Sequence, residues 1–165
     1  MSIRTTPPGR RSGQQIFVLR KDPDGSEDFQ VLLVDPEYRD GLTLPGGHAE
    51  ANELPHFAAR RHLETETGLV LELRVVLTVD YVNAAAVPEG LNLVWAGGVI
   101  RPGQMGAVLA HELPRGIRSL RWAARSRLHA LMEPDQKRRV EDAWDAWESG
   151  AGRPMLLRGV PIPVS

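Results

Sequence analysis

Apolar residues come in short runs through the first third of the chain. Gln15 to Arg20 and Phe29 to Val34 are separated by Asp-Pro-Asp-Gly-Ser-Glu-Asp, turn chemistry that predicts two antiparallel strands joined by a hairpin. Asp35 to Asp40 is a polar link, and Leu42 to Pro45 predicts a brief strand running into Gly46 and Gly47, where the backbone can turn tightly. The period then changes. Between Pro55 and Thr67 the alanines and Leu63 fall at helical spacing, with Ala59 and Leu63 an i, i+4 pair. Pro55 suits the first turn of that helix and Gly68 its left-handed close.

Leu69 to Val82 and Leu91 to Ile100 are rich in Val and Leu and predict two longer strands, with an alanine-rich loop between them. Gly and Pro102 after Ile100 predict another loop. His111 to Arg121 leads into a strand ending at Trp122, and helices are expected over Arg125 to Met132 and Asp135 to Glu148, broken by Pro134. Val140, Ala143, Trp144 and Trp147 share one face of the last helix, the pattern of a core stripe; left exposed, that stripe would argue for a homodimer. Arg153 to Ser165 reads as an edge strand or a tail. Residues 1–13, rich in Pro, Gly, Thr and Arg, are expected to form a flexible arm, and residues 14–165 a single domain.

One stretch carries chemistry. From Leu44 to Leu69 the chain reads as strand end, glycine turn and helix, and the spacing of Gly47, Glu53, Arg61, Leu63, Glu66, Gly68 and Leu69 resembles the Nudix box, the motif of diphosphate hydrolases. Two positions depart from it: His62 and Thr65 stand where the family has glutamates. Tyr38-Arg39-Asp40-Gly41 leading into Leu-Pro-Gly-Gly, with a later Leu-Arg-Trp, looks like small bacterial members of the family. The resemblance covers roughly residues 15 to 150 and implies an α/β fold, a Nudix-type α/β/α sandwich with a central mixed sheet.

It also implies a reaction, hydrolysis of a nucleoside diphosphate linked to another moiety. Divalent cations such as Mg²⁺ or Mn²⁺ neutralise phosphate charge in such chemistry, and a helix can gather their oxygen ligands at i, i+3 and i+4 on one face. Positions 62, 65 and 66 are that face, and only Glu66 keeps a carboxylate, so a weak metal site is expected from Glu66, the Gly47 carbonyl and Glu112, the acid preceding the Leu-Arg-Trp strand. Glu64 cannot stand in, because two residues of helix turn its side chain about 200° from position 66. His62 is open to two readings, a ligand or base near neutral pH, or an imidazole hydrogen-bonded in a retired site.

Arg61 matches the arginine that holds the box acids, with Glu53 its expected partner and catalytic and structural roles both open. Asn52 takes a place usually held by Gly, and Leu54 stands where a helix cap is common. Glu50, Tyr38, Arg39 and Tyr81 are candidate substrate-binding residues, the tyrosines for stacking on a base and Arg39 for phosphate. The alternative to a hydrolase is a Nudix-fold nucleotide-binding or regulatory module without turnover.

Composition narrows the partners. The chain has 165 residues, enough for one domain with a sizeable core. With 20 basic and 21 acidic residues it has no global field to draw it to nucleic acid or an anionic membrane, so a small-molecule nucleotide derivative is the expected partner. The absence of cysteine excludes disulfides, thiolate metal sites and a cysteine nucleophile. No apolar run approaches the length of a membrane span, and a cytoplasmic protein is expected.

Overall fold

The computed structural model describes residues 9–25, 27–83 and 88–162. Strands β1 (Arg11–Lys21) and β2 (Phe29–Pro36) form the expected antiparallel hairpin, its turn closed by Asp22, whose Oδ1 accepts the Asp24 N–H. There follow β3 (Gly46–His48), α1 (Pro55–Thr67), β4 (Val75–Val82), β5 (Gly90–Val99), α2 (Pro102–Ala110), β6 (Ile117–Ala124), a 3₁₀ turn with the short α3 (Leu128–Leu131), α4 (Pro134–Ser149) and three two-residue strands, β7 (Arg153–Pro154), β8 (Leu156–Leu157) and β9 (Val160–Pro161).

The main sheet runs β6-β2-β1-β5-β4-β7, with β3 also paired to β1. It is mixed, because β1 and β5 run parallel while the other pairs are antiparallel. β1 is central and buries both faces, so its apolar run is nearly continuous. Phe17 and Leu19 join the core beneath α4, with Val140, Ala143 and Trp144; Ile16 and Val18 join the core beneath α1, with Ala59, Leu63 and Trp95. Helices therefore cover both faces of a mixed sheet, the expected α/β/α arrangement. Each fully buried side chain such as Leu63 contributes roughly 1.5–3 kcal/mol by leaving water.

Several expected boundaries move. The arm expected over residues 1–13 lies outside the described residues as far as residue 8, whereas Arg11 to Gly13 already belong to β1, paired with β5 and β3. The brief strand expected over Leu42 to Pro45 is reduced to a bridge between Thr43 and Val34, and the glycines themselves form β3. Leu69 to Arg74 is not strand; Leu69 and Leu73 are buried as the segment crosses the α1 face. The loop expected after Ile100 is α2, begun by Pro102 at its first turn and by Gln104, whose Oε1 accepts the Arg101 N–H. Trp144 is buried and Trp147 packs edge-on against Phe29, so the tryptophan stripe belongs to the core and gives no argument for a dimer. Among the described residues no helix is long and apolar enough to cross a membrane.

Candidate functional site

The glycine strand and the helix after it are joined by three side chains. Glu66, in the last turn of α1, accepts the Gly46 N–H at 2.9 Å. Burial pushes its carboxyl up to about 7, with the Gly46 N–H only partly offsetting that. Gly46 is required there by close approach, since a Cβ would stand 1.9 Å from the Gln14 carbonyl oxygen across the β1–β3 pairing.

His62, one turn earlier, packs on Gly47, and its Nε2 lies 2.9 Å from the His48 carbonyl oxygen. A carbonyl oxygen only accepts, so Nε2 carries the proton and is engaged, which leaves Nδ1 as the nitrogen able to take a proton or a metal. His62 is thus hydrogen-bonded as one reading expects without losing the other.

Arg61 and Glu53 form the expected pair, Nε and Nη2 each 2.8 Å from a Glu53 oxygen. Glu53 also accepts the Glu50 N–H at 3.0 Å, and Arg61 reaches the His48 carbonyl at 3.3 Å. The Arg61 guanidinium and then the Glu50 N–H hold Glu53 down at about 2. This fork closes the segment from His48 to Glu53 onto the helix. Within it Asn52 takes the left-handed conformation, φ 64°, and Leu54 leaves the helix start without a side-chain cap. Gly68 closes the helix at φ 78°.

The other expected residues divide. Tyr38 and Arg39 precede the bridge into β3. Desolvation and then the Glu66 charge push the Tyr38 phenol up while Arg39 pulls it down, although the Tyr38 ring is largely exposed. The Arg39 Nε is buried and takes no partner among the described residues. Glu50 contributes its backbone N–H and keeps its side chain exposed, and Thr65 is exposed. Glu112 is exposed beside His111, whose ring reaches the Thr65 carbonyl at 2.8 Å; its carboxylate has no partner among the described residues. Tyr81 lies on β4 and gives its hydroxyl to Glu89. Among the described residues, no three His, Asp or Glu side chains gather as a metal-binding group.

The donor set still suits one kind of ion. Mg²⁺ commonly keeps several waters and is held by one or two carboxylates together with substrate phosphates. Glu66 offers one such carboxylate beside the Gly47 segment.

A second polar assembly lies on the α4 face. Arg139, with its side chain 4% exposed, contacts Asp80, Gln15 and Gln136. Its sequence signal is polar residues at core positions: Gln15 shares a strand face with Phe17 and Leu19, and Gln136 and Arg139 share a helix face with Val140 and Ala143.

The sequence matches the NUDIX domain over residues 11–144. Solved structures with the same fold include a NUDIX hydrolase from Nitrosomonas europaea, 20% identical, with a TM-score of 0.64 over 89% of this chain and 94% of that one. A UDP-X diphosphatase is 18% identical, with a TM-score of 0.68 over 90% and 68%. The NUDIX domain of Shewanella oneidensis NrtR, solved with ADP ribose, is 14% identical, with a TM-score of 0.68 over 87% and 94%. No curated protein matches the chain by sequence.

Proposed function

The chain belongs to the Nudix family, and we propose that it hydrolyses a nucleoside diphosphate linked to another moiety, using a reduced acidic site centred on Glu66. The observation that carries this reading is the Gly46 N–H to Glu66 bond. It fixes a half-buried carboxylate at the junction of the glycine strand and the helix, where the resemblance leads one to expect two further acids. The diphosphate ligand class also agrees with the similar UDP-X diphosphatase and with the similar NUDIX domain solved with ADP ribose.

Each residue has a part in that reading. Mg²⁺ or Mn²⁺, when bound, supplies positive charge at the phosphate oxygens. Glu66 and the Gly47 carbonyl would hold it, with Glu112 added if its exposed segment closes on the substrate. Arg39, whose Nε has no partner among the described residues, pairs with phosphate. Tyr38 lies against the nucleoside, and His62 Nδ1 or Glu112 takes the proton from the attacking water. The Arg61–Glu53 fork keeps Gly47 and His48 in register with the helix, a positioning role.

A panel of nucleotide sugars, dinucleotides and nucleoside triphosphates, incubated with Mg²⁺ or Mn²⁺, tests the proposal. Metal-dependent cleavage that disappears in Glu66→Gln is the expected result. If the native protein cleaves nothing while a His62→Glu, Thr65→Glu variant does, the hydrolase reading fails. A binding module without turnover is then the reading left.

A further inference from the structure

Away from the box, a cavity of about 300 Å³ opens between β4 and α4, lined among others by Thr78, Asp80, Asp135, Arg138, Arg139 and Asp142. Arg139 is its buried floor, and each of its three guanidinium nitrogens is engaged. Nε and Nη2 both contact Asp80 Oδ2, at 2.7 and 2.5 Å, while Nη1 donates to Gln15 Oε1 at 3.0 Å and to Gln136 Oε1 at 3.2 Å. Gln15 Nε2 in turn donates to Gln136 Oε1 at 3.4 Å. Each guanidinium nitrogen already has a protein partner, and one N–H of Nη2 is the only donor left over.

What this network does is fix Asp80. Both arginine contacts fall on Oδ2, so Oδ1 is without a hydrogen bond among the described residues, on a side chain that is 40% exposed. With Arg139 neutralised by Asp80, Asp135 and Asp142 outweigh Arg138 at the walls. The lining therefore disfavours anions and offers acceptors to N–H or O–H groups. A purely structural ion pair has no need of open space beside it, and buried pairs add little stability over apolar packing. The position suits a substrate with separated parts. Gln15 pairs with Gly46 across β1 and β3, and Asp80 pairs with Asn92 of β5, which lies on the other side of β1. Three strand spacings of about 4.8 Å put the cavity roughly 14 Å from the glycine strand, within the span of a nucleoside diphosphate.

We propose that this cavity binds the uncharged, hydrogen-bond-donating part of the substrate, and that Asp80, oriented by Arg139, is a specificity-determining residue that reads its N–H or O–H edge. The proposal rests on the hydrolase reading only for the word substrate; binding itself does not require turnover. The donor edge has two sources, the amino and imino groups of a base or the hydroxyls of a sugar.

The test uses the full chain without added metal, so that no cleavage is involved. Guanosine and N1-methylguanosine form one arm, methyl glucoside and a deoxy analogue the other, with binding followed through the side-chain amide signals of Gln15 and Gln136 and the Arg139 Nε–H signal. One donor-bearing probe should shift those signals, its donor-depleted analogue should bind about tenfold more weakly or worse, and Asp80→Asn should erase the difference between them. Thr78→Val, which leaves the ion pair intact, should weaken the same probe if Asp80→Asn does not fold. If no probe in either arm moves those signals in the native protein, or if both members of each pair bind alike, the proposal is overturned. Failure in the cleavage panel with selective binding here would instead remove only the hydrolase reading.

Discussion

The imidazole of His62 lies directly over Gly47: a methyl group built on that glycine would stand 2.3 Å from His62 Cε1. His62 thus acts as a clamp, donating from Nε2 to the His48 carbonyl. The obstruction is a half-buried side chain able to turn away, not backbone. Gly47→Ala should therefore cost about 1 kcal/mol, the worth of the lost hydrogen bond, and should abolish the slowly exchanging His62 Nε2–H signal in an imidazole NMR spectrum. A loss well beyond that, with the His62 signal intact, would show that strand β3 itself resists the methyl group.

A glutamate at position 62 reverses a donor. In His62→Glu a carboxylate would face the His48 carbonyl, two acceptors in one place, so the metal-free variant should be about 1 kcal/mol less stable than the native protein. Combined with Thr65→Glu, at an exposed position, it should regain that stability when Mn²⁺ is added, because a ligand that binds only the folded state stabilises in proportion to its saturation. Thermal melts with and without Mn²⁺ measure both effects. A double variant whose melting temperature ignores Mn²⁺ would show that position 66 does not share a site with positions 62 and 65.

The box was legible because its spacing encodes geometry. Gly68 at φ 78°, Asn52 at φ 64° and the Arg61–Glu53 fork are local consequences of residue type at fixed separation. The β1–β2 hairpin was legible for a similar reason, since the runs at Gln15 to Arg20 and Phe29 to Val34 flank turn residues, whereas the mixed sheet followed only from the resemblance. Helix α2 was not: Gly103 and Gly106 lower helix propensity, and only the Pro102 and Gln104 start marks it. Nor was the Arg139 network, because Gln15, Asp80 and Arg139 are distant in sequence and meet only when β4 and α4 pack on one sheet face. Strand β4 starts late because Leu69 to Arg74 is spent crossing the sheet, and apolar content alone does not separate a crossing from a strand.

Arg61→Lys tests whether the fork or the charge holds the loop. Lysine keeps the charge but cannot make the two parallel bonds to Glu53 or reach the His48 carbonyl in the same geometry. Amide exchange at Glu50, whose N–H is given to Glu53, should accelerate markedly, while the core amides of β1 stay protected. Uniform acceleration throughout the chain would instead mean that the fork supports global stability.

Glu66 gives the metal-free protein a pH dependence of definite sign. Its carboxyl is raised by burial from an ordinary 4.5 to about 7 in the folded chain, so the native state binds a proton that the unfolded state has released. The contribution of this group to stability is greatest below about pH 4.5, falls as pH rises, and levels off above about pH 7. At roughly 1.4 kcal/mol per pH unit of displacement, the span is at most about 3.5 kcal/mol, less whatever water reaches the partly exposed carboxylate. Urea unfolding at pH 5 and pH 8 should show the native protein weaker at pH 8. In Glu66→Gln, which cannot ionise yet can still accept the Gly46 N–H, the difference attributable to this group should vanish. An unchanged pH difference in that variant would assign the dependence to other groups and would place Glu66 in a better solvated setting than its contacts indicate.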